Sequence, residues 1–126
     1  MFEMKVLIAD DSQIVRERLA YLLGDVEGVE IVGQAEDAVE GSNLAEALRP
    51  DVAILDVRMP RGSGLDVLRS IKRTNPSATV IVLTNFVDPE ARQLCLAHGA
   101  DYFFDKSIEF DKAVDLLRGL SHAETP

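Results

Sequence analysis

Near its N-terminus the chain reads VLIADD (residues 6–11), in which four apolar residues are followed at once by two aspartates. A stretch that is apolar at every position predicts a strand buried on both faces, because a strand with one wet face alternates between apolar and polar residues. Strands of this kind form parallel sheets that are covered by helices on both sides. The same continuous pattern recurs at residues 52–55 and 80–83.

Two weaker apolar runs, centred near residues 31 and 103, bring the predicted strands to five. Successive runs lie about 22 to 27 residues apart, which is enough for one helix and two short loops between parallel strands. The second run contains Glu30, so we expect it at an edge of the sheet. Five such β/α units predict a doubly wound α/β domain.

The intervals between the runs contain apolar residues at the three- and four-residue spacing of amphipathic helices. Ser12 is a suitable N-cap for the first helix, whereas Gly41 weakens the second by about 1 kcal/mol relative to alanine. Pro89 suits the first turn of the fourth helix and Gly99 its C-terminal end, and Leu94 is expected on its buried face. The residues that predict the five buried faces are Val15, Leu19, Leu22 and Val26; Leu44, Ala45 and Leu48; Leu65, Leu68 and Ile71; Ala91, Leu94 and Cys95; and Phe110, Ala113, Val114 and Leu117.

The totals indicate one acidic domain without a membrane span. We assign residues 1–126 to a single domain, with a core at about 4–120 and a frayed tail at 121–126. Its 22 acidic and 13 basic residues give a net charge of −9, which argues against direct binding to nucleic acid. The chain has no apolar run near the roughly 20 residues of a membrane helix and no signal-peptide pattern at its start, so we expect a cytoplasmic location.

Charged and hydroxyl side chains follow four of the five predicted strands. Asp10 and Asp11 follow the first strand, and Asp56 follows the third. Thr84 closes the fourth strand, and Lys106 comes shortly after the fifth. In an open α/β sheet, ligands bind outside the carboxyl ends of the strands, where the strand order reverses. With strand order 2-1-3-4-5 that point lies between strands 1 and 3, so these side chains are expected to form one site.

Carboxylates gathered at one site require a counter-charge. Two of them about 4 Å apart repel by roughly 1 kcal/mol in water and by several-fold more in a partly buried cleft. A hard dication relieves that repulsion, and Mg²⁺ is favoured over Ca²⁺ because it keeps several waters and needs few protein carboxylates. A carboxylate beside Mg²⁺ is able to attack a phosphoryl group, whose oxygens suit the Lys106 ammonium and the Thr84 hydroxyl. The pattern therefore predicts a site for a divalent cation and a phosphoryl group.

Four motifs occur in order along the chain: DDS at residues 10–12, DVRMPRGSG at 56–64, Thr84, and GADYFFDK at 99–106. Together they resemble the receiver domain of the two-component response regulators, over residues 4 to about 120. The resemblance implies a flavodoxin-like (βα)5 fold, with a five-stranded parallel sheet of order 2-1-3-4-5 and helices on both faces. It also implies a phosphoprotein that takes part in phosphorelay signal transduction.

The resemblance implies a role for each acidic residue of the site. Asp56 would be the phosphoacceptor, which receives a phosphoryl group from the phosphohistidine of a partner histidine kinase. Asp11 and Asp56 would ligate Mg²⁺ directly, together with the backbone carbonyl of Arg58. Asp10 would act on the metal largely through bound water.

By the same resemblance, Thr84 and Lys106 hold phosphoryl oxygens, and Phe103 matches the aromatic switch position three residues before the lysine. On phosphorylation, Thr84 is expected to move toward the new oxygens and Phe103 to turn inward behind it. That movement would repack the surface of helix 4, strand 5 and helix 5, where partners dock. Adjacent residues of a strand face opposite sides of the sheet, so one of the two neighbouring rings faces each side, and Phe104 is assigned to the core.

The chain departs from the family pattern at three places. Ser107 stands where a proline usually follows the lysine; because a cis bond before other residues costs about 3 kcal/mol, we expect a trans bond there, with Ser107 capping helix 5. Asn85 stands where the residue after the switch threonine is usually small. Arg58 and Phe86 each lie two residues beyond a site residue, beside the entrance for a hydrolytic water. We expect Arg58, Asn85 and Phe86 to slow loss of the phosphoryl group.

These features predict a signalling switch rather than an enzyme. It would regulate a downstream protein by contact or pass the phosphoryl group to a histidine phosphotransfer protein, as a monomer or a phosphorylation-dependent dimer, without binding nucleic acid or membrane. One alternative is the isolated N-terminal receiver of a longer DNA-binding regulator. Another is a Mg²⁺-dependent aspartyl phosphatase, but that chemistry needs an acid two residues after the nucleophile, where this chain has Arg58.

Overall fold

The computed structural model describes residues 3–123 of the 126-residue chain. Within this range five strands form the central sheet, and five helices connect and cover them. The strands are β1 (Met4–Ala9), β2 (Val29–Ala35), β3 (Val52–Leu55), β4 (Thr79–Thr84) and β5 (Tyr102–Asp105). The helices are α1 (Gln13–Gly24), α2 (Ala38–Leu48), α3 (Gly64–Thr74), α4 (Pro89–Ala97) and α5 (Phe110–Ala123).

The sheet is parallel throughout, with strand order β2-β1-β3-β4-β5. This confirms the predicted order, and β2 lies at an edge, as the charge of Glu30 within it indicates. One element has no counterpart in the predicted pattern. A small antiparallel hairpin, formed by Arg58–Met59 and Gly62–Ser63, lies in the connection from β3 to α3.

Alternation along the strands divides the buried side chains between two cores. On β1, Leu7 faces the layer of α2, α3 and α4, whereas Val6 faces the layer of α1 and α5. Both faces of the sheet are therefore dry, which explains why its central strands are apolar at every position. The adjacent rings of β5 also separate: Phe103 is buried in the first core, and Phe104 packs against the second while partly exposed.

Local signals set several helix ends where the sequence predicts them. The Ser12 side chain caps α1 by accepting a hydrogen bond from the N–H three residues on. Pro89 opens α4, and Gly99 follows its C-terminal end with a φ of 105°, a conformation that glycine adopts without strain. Gly41 is buried in α2, where a Cβ would lie 2.9 Å from a methyl group of Val67 in α3. The glycine that weakens the isolated helix thus allows α2 to pack closely on α3.

Two expectations about the helices are wrong. Leu94 does not lie on a buried face: its side chain is 48% exposed, and Cys95 is the one buried residue of α4. The predicted tail begins too early, because α5 continues to Ala123 and the buried Ser121 donates its hydroxyl to the Glu27 carbonyl at 2.6 Å. The remainder of that tail, residues 124–126, lies outside the described range. Among the described helices, none combines the length and the apolar composition needed to cross a membrane.

Candidate phosphoryl and metal site

Backbone pairing brings the predicted site residues to one edge of the sheet. The ends of β1 and β3 are neighbours, and the Asp56 N–H donates to the Ala9 carbonyl at 2.9 Å. Asp10 and Asp56 therefore leave adjacent strands side by side. From the other direction, the Lys106 N–H donates to the Thr84 carbonyl at 2.8 Å, which ties the end of β5 to the end of β4.

The Lys106 ammonium bridges the two buried carboxylates. Its Nζ lies 2.7 Å from Asp10 Oδ2 and 2.7 Å from Asp56 Oδ2. All three side chains are well shielded, with exposed fractions of 10% for the lysine, 4% for Asp10 and 9% for Asp56. Lys106 therefore supplies positive charge to both acids. Because the pairs are shielded from solvent, salt screens them little.

The second oxygen of each buried carboxylate also has a donor. Thr84 Oγ1 donates to Asp56 Oδ1 at 2.7 Å and itself accepts from the Phe86 N–H at 3.0 Å. Asp10 Oδ1 accepts from the Ser12 N–H at 2.8 Å. Each oxygen of both carboxylates is therefore hydrogen-bonded, which fixes the orientation of the two groups.

Burial and pairing shift the titration of the charged groups. Burial raises the pKa of Asp10, and the hydrogen bonds from Lys106 and Ser12 lower it by less. For Lys106, burial acts to lower the pKa, but the hydrogen bonds and charges of Asp10 and Asp56 together outweigh it, so the pKa of Lys106 is raised. The lysine therefore keeps its proton and its charge at neutral pH.

Asp11 completes an acidic cluster that fits a hard cation. One carboxylate oxygen from each of Asp10, Asp11 and Asp56 lies within 4.8 Å of the other two, and Asp11 is exposed to solvent. A set of oxygen donors that is partly open to water suits Mg²⁺, which retains several of its own waters. Arg58 begins the small hairpin two residues after Asp56, and its carbonyl stays a predicted ligand.

The residue at the predicted switch position is buried. Phe103 is 8% exposed and packs in the core beneath α4. The Arg92 guanidinium of α4 lies 5.6 Å from the Phe103 ring centroid, and it donates to the Phe103 carbonyl at 3.4 Å. With its hydroxyl on Asp56, Thr84 is also directed into the site. The movement of both residues on phosphorylation stays a prediction.

Arg58 and Phe86 contact each other across two loops. The Arg58 guanidinium carbon lies 3.9 Å from the Phe86 ring centroid, within the range of a cation–π contact. Since these residues follow Asp56 and Thr84 by two positions, the stack joins the loop after β3 to the loop after β4. Asn85 lies within the second loop and is exposed.

The loop from β5 to α5 differs from the expectation at Ser107. The described residues contain no cis peptide bond, so the trans bond is confirmed. Ser107 does not cap α5, which begins at Phe110. Its N–H and hydroxyl donate to Asp105 Oδ1, at 2.9 and 2.6 Å. Ser107 lies three residues before the first residue of the helix, whereas an N-cap directly precedes it.

Two residues near the site have no role in the sequence analysis. Gly64 ends the DVRMPRGSG motif, and a Cβ there would collide with the Asp56 carbonyl oxygen, so the missing side chain lets α3 begin against the backbone of Asp56. The fixed spacing from Asp56 to this glycine is the signal that could have shown the contact. Arg16 of α1 donates to the Asp10 carbonyl at 2.7 Å and steadies the turn that carries the acid pair.

Comparison with known proteins decides the family. The family model described as "Response regulator receiver domain" matches residues 6–118. The chain belongs to the response regulator receiver family. Its fold and family are therefore as the sequence predicts, and the chain is the receiver domain of a two-component response regulator.

Relatives of this receiver domain are longer than the chain itself. Response regulator GacA from Pseudomonas aeruginosa is 33% identical over 91% of this chain and 54% of its own length. The DNA-binding transcriptional activator DevR/DosR from Mycobacterium tuberculosis is 34% identical over 93% of this chain and 52% of its own length. The receiver thus spans about half the length of these curated relatives.

Solved structures share the whole receiver fold. The CheX-CheY-BeF3-Mg+2 complex from Borrelia burgdorferi contains a chain with a TM-score of 0.81 and 29% identity to this one. The match covers 95% of this chain and 89% of that chain.

Proposed function

We propose that this receiver domain is a phosphoacceptor switch in which Asp56 accepts a phosphoryl group from the phosphohistidine of a partner histidine kinase. The observation that carries the proposal is the contact of Asp56 with both Thr84 Oγ1 and Lys106 Nζ at 2.7 Å, at the end of a buried strand. A hydroxyl and an ammonium on one carboxylate are the donors that a phosphoryl group on that carboxylate would need. The related complex from Borrelia burgdorferi, described with BeF3 and Mg+2, supports the same chemistry.

In the proposed transfer, an Asp56 oxygen attacks phosphorus while the bond from phosphorus to the donor imidazole nitrogen breaks. The bonding pair leaves with the imidazole. Thr84 and Lys106, which now donate to Asp56, would donate to oxygens of the phosphoryl group. Asp10 also contacts the ammonium, so the lysine enters the reaction already oriented.

The acidic cluster is the proposed magnesium site. Asp11 and Asp56 would hold Mg²⁺ with the Arg58 carbonyl, and Asp10 would act through water. When bound, Mg²⁺ supplies positive charge against the charge of the incoming phosphate. The Arg58 side chain stacks on an aromatic ring and provides no acid, which supports a phosphoacceptor rather than an aspartyl phosphatase.

The output surface is proposed to consist of α4, β5 and α5. Arg92 links α4 to Phe103 through both the ring and the carbonyl of that residue. Because Cys95 is the one buried residue of α4, a small repacking around Phe103 is enough to shift the helix. The partner would be a downstream protein or a phosphotransfer protein in the cytoplasm, bound by a monomer or a phosphorylation-dependent dimer.

A second candidate function is the N-terminal receiver of a longer DNA-binding regulator. It is favoured by the half-length coverage of GacA and DevR/DosR, the second of which is described as a DNA-binding transcriptional activator. Contact with DNA would then belong to the other half of the protein, because this receiver carries a net charge of −9. The native coding sequence beyond residue 126 tests this: a DNA-binding domain in frame supports it, and a stop codon there overturns it.

We also propose that Arg58, Asn85 and Phe86 prolong the phosphorylated state by restricting the approach of water. The Arg58–Phe86 stack closes one approach between the two loops, and Asn85 occupies a position beside it. Asn85→Ala and Arg58→Ala are expected to shorten the half-life of the phosphoprotein several-fold, with Arg69→Ala on α3 as an exposed-arginine control. Equal half-lives in all four proteins would count against the idea.

The main proposal is tested with acetyl phosphate and Mg²⁺, followed by intact-mass measurement. The wild-type protein should gain one phosphoryl group, and Asp56→Asn should gain none. Omission of Mg²⁺ should slow the gain strongly. An equal adduct on the Asp56→Asn variant would overturn the assignment of the phosphoacceptor.

A further inference from the structure

The loop from β5 to α5 is closed by a hydrogen-bonded clamp around Asp105, the residue before Lys106. The Asp105 N–H donates to Glu109 Oε1 at 2.9 Å. Its Oδ1 accepts from the Ser107 N–H and hydroxyl at 2.9 and 2.6 Å. Its carbonyl accepts from the Glu109 N–H at 2.7 Å. The N–H, the carbonyl and the side chain of Asp105 are thus all hydrogen-bonded to Ser107 or Glu109.

Apolar packing contributes little to holding this loop. Ile108 is 79% exposed, and Ser107 is exposed as well. The chain also lacks a proline after Lys106 that would restrict the backbone there. The loop is held by the bond between the Lys106 N–H and the Thr84 carbonyl, by the contacts of the Lys106 ammonium with Asp10 and Asp56, and by the polar clamp.

We propose that Asp105, Ser107 and Glu109 are positioning residues for Lys106. They fix the backbone from which the ammonium reaches the two buried aspartates, so their effect on phosphoryl transfer passes through the lysine. This inference rests on the proposed function, because it concerns how the lysine is oriented for that reaction.

Both acids of the clamp act as charged acceptors at neutral pH. Hydrogen bonds from the Ser107 hydroxyl and N–H lower the pKa of Asp105. The Asp105 N–H lowers the pKa of Glu109. Hydrogen bonds to an ionised acceptor are about twice as strong as neutral ones, which suits them to hold an exposed loop.

The test compares Glu109→Ala, which removes the acceptor of the Asp105 N–H, with Glu109→Gln, which keeps an oxygen in its place. Asp115→Ala is the matched control, because Asp115 pairs with a cation three residues on, Arg118, as Glu109 pairs with Lys112. Asp115 lies on α5, and Glu109 directly precedes that helix. For each protein we would measure the rate of phosphorylation by acetyl phosphate at saturating Mg²⁺. The Mg²⁺ dissociation constant would be measured separately by calorimetry.

We expect Glu109→Ala to lower the phosphorylation rate about fivefold, equivalent to roughly 1 kcal/mol, without weakening Mg²⁺ binding. Glu109→Gln should recover most of the rate, and Asp115→Ala should match the wild type. An unchanged rate in Glu109→Ala would overturn the proposal. A parallel loss of Mg²⁺ affinity would also overturn it, because it would show damage to the acidic cluster rather than a displaced lysine.

Further outcomes separate this proposal from the proposed function. If Glu109→Ala does not fold, Ser107→Ala replaces it: it removes only the hydroxyl bond to Asp105 and should slow phosphorylation to a smaller extent, and a wild-type rate would overturn the clamp. If the wild type is phosphorylated and the variants react at the same rate, the clamp is overturned but the proposed function is not. Failure to phosphorylate the wild type would overturn the proposed function and, with it, the role of the clamp.

Discussion

The amino-terminal and carboxyl-terminal ends of the parallel strands, called here the amino edge and the carboxyl edge, both carry aspartate and lysine. At the amino edge these residues bind main-chain groups, whereas at the carboxyl edge they form a charged cluster. At the amino edge, Asp101 Oδ2 accepts from the Val80 N–H at 2.8 Å and from Lys72 Nζ at 3.1 Å. Lys72 also donates to the Ala78 carbonyl at 2.6 Å. One acid and one base thus join β4, β5 and α3, and their polar atoms are directed at main-chain groups.

At the carboxyl edge, the acids face one another instead of the main chain of neighbouring strands. Lys106 is shared by Asp10 and Asp56, and Asp11 adds a third carboxylate to the cluster. Three carboxylates and one ammonium leave an excess of two negative charges within a few ångströms. The comparison indicates that the balance of charge, rather than the residue type, separates the structural ion pair from the proposed cation and phosphoryl site.

Among variants that keep every charged residue of the site, the largest effect should come from Gly64→Ala. A Cβ would collide with the Asp56 carbonyl oxygen, and a displacement of about 1 Å in a reacting group can cost roughly a hundredfold in rate. We therefore expect phosphorylation by acetyl phosphate to fall about a hundredfold. Gly119→Ala is the control, since nothing lies within 4 Å of its added Cβ. A folded Gly64→Ala protein that is phosphorylated at the wild-type rate would contradict the account.

Lys106→Ala tests whether the balance of charge sets the Mg²⁺ affinity of the acidic cluster. Removing the ammonium leaves Asp10 and Asp56 without their shared counter-charge, so Mg²⁺ affinity should rise about tenfold, or roughly 1.4 kcal/mol. Isothermal titration with Mg²⁺ measures this directly. Lys72→Ala, at the opposite edge, should leave the affinity unchanged. Weaker Mg²⁺ binding by Lys106→Ala would show that the lysine organises the cluster rather than neutralising it.

Asp101→Ala should have the converse effect at the amino edge. It leaves the Val80 N–H without its acceptor, which should lower the free energy of unfolding by about 1 kcal/mol. Urea denaturation measures the loss. The folded variant should still be phosphorylated at the wild-type rate, and a rate that fell with the stability would show that the two edges are not independent.

Much of this comparison could be predicted from the sequence. The apolar run before Asp10 specified a strand buried on both faces, and motif spacing assigned Asp56, Thr84 and Lys106 to one edge. Strand alternation also predicted that the Phe103 and Phe104 rings face opposite sides of the sheet. These features depend on local pattern and on the handedness and order common to parallel sheets.

The rest depends on contacts between segments that local pattern does not contain. Leu94 has helical spacing but is 48% exposed, and Cys95 is the one buried residue of α4. Ser107 is a fair capping residue, but α5 begins three residues later, at Phe110. Gly41 resembles a defect in an isolated helix, and only the approach of α3 explains it.

The smallest effect should come from an acid outside the acidic cluster. Asp37 caps α2, and hydrogen bonds from the Glu40 N–H and then from Arg61 lower its pKa below the usual value of 3.8. Because the pKa is lower in the folded protein, the ionised carboxylate stabilises the fold at pH values above the usual pKa of 3.8. This contribution is lost as the pH falls through the lowered pKa. Asp37→Asn should therefore be slightly less stable than the wild type at pH 7, and the difference in urea midpoint should narrow toward pH 3. A difference in urea midpoint that stays constant across that pH range would contradict a stabilising role of the ionised Asp37 side chain.

The central claim is that Asp56 alone among the acids of the two edges accepts phosphate. Treatment with acetyl phosphate and Mg²⁺, followed by borohydride reduction, converts a phosphorylated aspartate to homoserine, which tandem mass spectrometry locates in the sequence. We predict conversion of Asp56, with Asp10, Asp11 and Asp101 unchanged. Conversion of any of these three while Asp56 stays intact would contradict the account.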